Sequence, residues 1–218
     1  MMREVPFGQD GDFSQRALID RMNSDLSNDL GNLLNRIIGM SEKYSDFVVD
    51  STDVQTFHAK ELSDAQAILS SLQPYLFELQ MHRYLEELWR ILSIGNKAIE
   101  EHAPWVKVKE GRMNEALATV ALVANLLAKA SVMLHAVMPK TTSTIADALG
   151  FTITTQSYEK LILNNGLLDT FTIKKIPPLF PRVEEPLMPE APKAMIEEAP
   201  KVQPIKTEEK KESTVSME

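Results

Sequence analysis

Leucine and isoleucine recur at steps of three and four between residues 26 and 38, as Leu26, Leu30, Leu33, Leu34, Ile37 and Ile38. That spacing lays one apolar stripe along a helix. It predicts a helix capped by Asn23 or Ser24 and running to about Tyr44. Upstream, Ser14 is a candidate N-cap for a short helix to about Met22. Residues 45–58, with Ser, Thr and Asp, read as a connection. Helical pattern resumes near Ala59 or Asp64 and continues to about Gln80, with a break or kink at Pro74. Leu85, Leu88, Trp89, Leu92 and Ile99 then mark a strong helix from Met81 to about Ala103, with Trp89 in the core. The ring of Pro104 disfavours helical geometry at Ala103 and ends it.

Residues 114–137 are almost uniformly apolar, with Asn114 as the expected cap and Pro139 as the stop. Pro139 suits the first turn of a short following helix, which ends at Gly150. Beyond it the pattern weakens. Residues 157–165 predict a helical turn, Phe171–Ile176 reads as extended, and Pro177, Pro178 and Pro181 forbid more helix. The expected architecture is an all-α helical bundle over residues 14–183. Residues 1–13 form an entry arm broken by Pro6, Gly8 and Gly11. Residues 184–218, rich in Pro, Glu and Lys, are a disordered tail that cannot offset its ordering entropy by burial.

Composition narrows this picture. The glycine count of eight is low for a strand-and-turn protein, and the absence of cysteine excludes disulfides, cysteine-ligated zinc and thiol catalysis. The 23 basic against 31 acidic residues give a net charge of −8, so the average field repels nucleic acid. Any such binding must come from local basic or stacking features. No secretory leader is visible in the first 20 residues. Ala116–Met138 is long enough to span a bilayer. Asn125, Lys129, Ser131 and His135 interrupt it, which favours a central bundle helix with one polar edge. Neither a membrane nor DNA is an expected partner.

Catalytic patterns are missing. Neither glycine-rich phosphate loop is present, and His58, His82, His102 and His135 are dispersed without metal-ligand spacing. The adjacent acids Glu86–Glu87 and Glu100–Glu101 diverge on their helices. Two features remain. Asn32 and Arg36 lie four apart on the side of their helix away from the leucines, with Asn28 and Asn35. An amide beside a guanidinium offers planar donors and an acceptor to the edge of an unpaired base. Trp105 follows Ala-Pro at a helix end and precedes Lys107 and Lys109. It can stack a base beside phosphate-binding lysines, or it can cover the end of the bundle. From these residues alone, a helical protein–protein interaction module with an acidic tail is the alternative.

Several runs, taken in order, resemble the methionyl-tRNA synthetase family: REVPFGQDGDFS at 3–14, RMNSDLSNDLGNLLNR at 21–36, NKAIEEHAPW at 96–105, MPKTTSTIADALG at 138–150 and LFPRVE at 179–184. The resemblance implies a class I anticodon-binding helical bundle acting in the cytoplasm. It implies that Asn32, Arg36 and Trp105 bind the CAU anticodon of the methionine tRNA, with Pro104 setting the tryptophan platform and Asn96 and Glu100 in secondary roles. Members of the family carry a catalytic half upstream, where ATP with magnesium, and zinc as an option, would act. That half and its HIGH-like and KMSKS-like motifs are not among these residues. The chain alone is therefore expected to need no cofactor and not to activate methionine. The catalytic half would be its other partner.

Overall fold

The computed structural model describes Met2, Arg3 and residues 14–184; the rest of the expected arm and tail lie outside the described residues. The chain enters through α1 (Gln15–Arg21), whose cap is Ser14: its hydroxyl accepts from the Ala17 amide. No break follows. The coil widens into a π-helical stretch, Met22–Gly31, and tightens again as α2 (Asn32–Ser45). Asn23 therefore caps nothing. Its side chain instead pairs with the backbone of Val183 twice, donating to the carbonyl and accepting from the amide, each at 2.9 Å.

The expected connection holds more structure than its composition suggests. Three residues form β1 (Val48–Asp50), and α3 (Val54–Ser71) begins before Ala59, with non-helical backbone at His58. The break near Pro74 falls at Leu72, before α4 (Gln73–Phe77). Then come α5 (Met81–His102) and α6 (Pro104–Lys109), joined by Ala103 in the left-handed region at φ 39°. The apolar run forms α7 (Met113–Leu134), and its N-terminus has no side-chain cap, so Asn114 does not serve as one. Pro139 opens α8 (Pro139–Ala148), and Gly150 beyond it is left-handed. A short α9 (Thr155–Tyr158) runs into a π turn, Glu159–Leu163. Last, β2 (Thr170–Thr172) pairs antiparallel with β1, Val49 opposite Phe171. The all-helical expectation thus needs one addition, a two-stranded ribbon.

The bundle is built around α7, against which α2, α3, α5, α6 and α8 all pack. By length and composition α7 could cross a membrane, yet 89% of its apolar window is buried inside the protein. Its polar edge is buried too. Asn125 donates to Ser51 Oγ and the Ala121 carbonyl and accepts from the Leu168 amide. Lys129, 1% exposed, donates to the Leu161 carbonyl and to Asn165 Oδ1. These bonds fasten the irregular segment 161–168 and the end of β1 to the central helix. Such satisfied polar contacts specify one arrangement where apolar packing alone would tolerate several. Trp89 lies in the core, as its position on the apolar face predicts.

Candidate nucleic-acid interface

Asn32 opens the regular helix where the π stretch ends. Leu33, Leu34, Ile37 and Ile38 bury into the core while Asn32 stays exposed and Arg36 half-buried. Among the described residues, neither the Arg36 guanidinium nor the Asn32 side chain has a hydrogen-bonding or ionic partner. Elsewhere most cations are paired: Lys60 with Asp64, Arg90 with Glu87, Lys174 with Asp147 and Lys175 with Glu42. A solvated, unpaired guanidinium beside a free amide costs nothing to present to a ligand.

The π stretch sets the phase of this edge, and it is held from outside. A Cβ on Gly31 would stand 3.0 Å from the Leu26 carbonyl and 3.4 Å from the Phe180 ring. The LFPRVE run lies across the widened coil, with Phe180 over Gly31 and Val183 held by Asn23. Gly95 allows α5 to approach α2. A Cβ there would meet Leu33 at 3.1 Å and Val123 at 3.4 Å. Asn96 follows Gly95 on α5, as Asn32 precedes Leu33 on α2. The Asn96 amide donates to the Leu92 carbonyl within its own helix, leaving its oxygen available. Glu100 is exposed one turn further on.

Trp105 sits at the far end of α5, beyond the left-handed Ala103. From Gly95 to Ala103 the helical rise amounts to roughly 12 Å. Pro104 is buried and Trp105 is 40% exposed, so the indole does not cap the bundle's core. The Gly95–Leu33 contact joins the α2 segment that carries Asn32 and Arg36 to the α5 segment that carries Asn96. Trp105 and Glu100 lie along α5 from it. The paired-lysine expectation fails in part. Lys107 is bonded to Glu115 at 3.3 Å and its side chain is largely covered; Glu115 on α7 also holds Arg112, and Lys109 remains exposed.

Beneath the tryptophan loop lies a cluster that the dispersed sequence positions hide. His102 donates from Nε2 to Glu61 Oε1 at 2.7 Å, and the rings of His102 and His58 meet edge to face at 4.5 Å. Burial pushes the His58 imidazole down to about 4, and the neighbouring His102 adds to that. The pairing of α3 with the last turn of α5 fixes the segment that carries Ala103, Pro104 and Trp105. The residues that sequence reasoning missed are therefore Gly31, Gly95, Phe180, Glu61 and His102. The glycines are rare inside helices, and Phe180 and His102 lie in runs that carry the resemblance; Glu61 left no signal.

Taken together, the fold and this surface define a helical bundle with an exposed polar edge and an exposed indole. A profile described as the anticodon binding domain of methionyl tRNA ligase matches residues 50–167, and one for class I tRNA synthetases of the methionine type matches residues 1–38. The chain belongs to the methionyl-tRNA ligase anticodon-binding family. Among curated relatives, the methionine–tRNA ligase of Campylobacter jejuni is 48% identical over 85% of this chain, and that of Helicobacter pylori strain J99 is 41% identical over 84%. The chain spans 29% and 28% of those two relatives, under a third of their length. The free Mycobacterium tuberculosis methionyl-tRNA synthetase superposes with a TM-score of 0.74 at 30% identity, covering 85% of this chain and 38% of that one.

Proposed function

We propose that the surface carrying Asn32, Arg36 and Trp105 reads the CAU anticodon of the methionine tRNA, as the recognition part of an ATP-dependent methionine–tRNA ligase working in the cytoplasm. The observation that supports this most directly is the partnerless amide–guanidinium pair on α2, on the same bundle as a half-exposed indole. Arg36 and Asn32 bond the edges of splayed bases. Trp105 stacks one base, and buried Pro104 holds its platform. Asn96, next to Gly95 on α5, and exposed Glu100 shape the pocket and reject other bases by leaving their polar groups unpaired. Activation of methionine with ATP and magnesium belongs to sequence outside these 218 residues. Any cysteine-ligated zinc belongs there as well, because this chain has no cysteine.

Filter binding with a CAU stem-loop and a loop-scrambled control tests the reading. The CAU loop is expected to bind about tenfold or more tightly, and Trp105→Ala and Arg36→Ala each to remove most of that preference, on the scale of one stacked base. Equal affinity for the two loops, or full preference in both variants, contradicts it.

A further inference from the structure

His58 is 1% exposed, and among the described residues its ring has one hydrogen-bond partner. Nε2 lies 3.1 Å from Thr119 Oγ1, and that hydroxyl spends its own proton on the Glu115 carbonyl at 3.0 Å. The threonine oxygen can therefore only accept, so Nε2 carries the imidazole hydrogen. Nδ1 is then a bare lone pair. It is buried without a hydrogen-bond partner and faces Glu61 Oε1 at 3.9 Å. Two electron-rich atoms confront each other with no proton between them. The Glu61–His102 bond explains the placement of those two residues, but it leaves the bare His58 nitrogen unexplained.

We propose that His58 Nδ1, Glu61 Oε1 and His102 Nε2 form a binding site for a divalent transition-metal ion of the zinc type. The three ligand atoms lie within 4.8 Å of one another. Two imidazoles and a carboxylate are a standard zinc donor set, with bonds of about 2.0–2.2 Å and tetrahedral ligand separations near 3.3 Å. The observed separations of 2.7 Å for His102–Glu61 and 3.9 Å for His58–Glu61 lie on either side of that value, so side-chain rotations must close the two imidazoles onto the ion. On binding, the ion takes the place of the His102 Nε2 proton, which is released or moves to Nδ1. The Thr119 bond to His58 is the outer contact that fixes ring orientation and tautomer in metal sites. Glu61 supplies the one carboxylate among the three ligands, and around His58 the opposing charge of Lys107 is offset by Glu115. Glu61 and His102 keep side-chain exposures of 18% and 27%, which leaves an entry path and a fourth position for water. The site ties α3 to the last turn of α5, three residues before Trp105. It does not depend on anticodon reading.

Isothermal titration of the full 218-residue chain with zinc, and visible absorption after titration with cobalt, test the site. One ion per chain is expected, with a cobalt spectrum of tetrahedral intensity. Glu61→Gln and His102→Gln, at part-exposed positions that keep the fold, should each weaken binding about tenfold or more. His82→Gln and His135→Gln should leave it unchanged. Circular dichroism and melting of each variant separate lost ligation from lost folding. Absence of binding at millimolar metal, binding unchanged in Glu61→Gln and His102→Gln, or binding lost in the two control variants overturns the proposal.

Discussion

At the scale of single residues, a half-exposed tryptophan and an unpaired arginine are inexpensive to keep and informative to remove. Trp105→Ala should leave the melting temperature nearly unchanged, because the indole is 40% exposed, while costing about 1–3 kcal/mol of stem-loop affinity. Arg36→Lys keeps the charge but not the planar fork. Its expected signature is retained overall RNA affinity with reduced discrimination between CAU and scrambled loops. Lys129 makes a separate prediction. Burial lowers its folded value to about 8 from 10.5, so between those values the unfolded chain holds a proton that the folded chain has shed. Stability therefore rises with pH across that window. Tyr84, buried and bonded to the Met133 carbonyl, is pushed up to about 12 from 10.0 and acts oppositely, so stability falls between those values. Urea unfolding from pH 7.5 to 11 should show a maximum near pH 10 from these two groups, and Lys129→Met should lose the rising limb. The exposed side of α2 that carries Asn32 and Arg36 was legible in the sequence because exposure follows local periodicity, whereas at Trp105 the residues alone left exposure and burial both open. The burial of Asn125 and Lys129 was not, because their partners lie between 32 and 74 residues away.

At the scale of elements, the helices came through where periodicity was long and breakers were local, as in α5, α7 and α8. Three features did not. The π stretch differs from an α-helix by subtle widening that no residue type announces. β1 is three residues long and finds its partner some 120 positions away. The Asn23 clamp looks like a helix cap because the same amide serves both purposes. Two substitutions probe these contacts. Gly95→Ala places a methyl 3.1 Å from Leu33, and should cost about 1–3 kcal/mol and weaken CAU binding together, as α2 is pushed from α5. Asn23→Ala removes both bonds to Val183; faster hydrogen exchange at residues 179–183, with a loss of about 1–2 kcal/mol, is the expected result.

At the scale of the whole molecule, a net charge of −8, with Arg36 and Lys109 among the described cations that lack a salt bridge, sets the style of binding expected of the proposed surface. Stacking and base-edge contacts must carry more than counterion release. Each phosphate contacted by a single strand contributes about −0.7 to the slope of log affinity against log salt. A slope no steeper than about −2 is expected over a salt series, and a much steeper one would contradict it. The widened coil from Met22 to Gly31 has a consequence of its own. It works as a vernier: the angular setting of everything after it depends on how many residues it holds. Losing or gaining one residue there turns Asn32 and Arg36 by about 100° around their axis and rotates Leu33 out of the Gly95 groove. Single-residue deletions in this stretch should therefore abolish recognition in chains whose side chains are otherwise all intact.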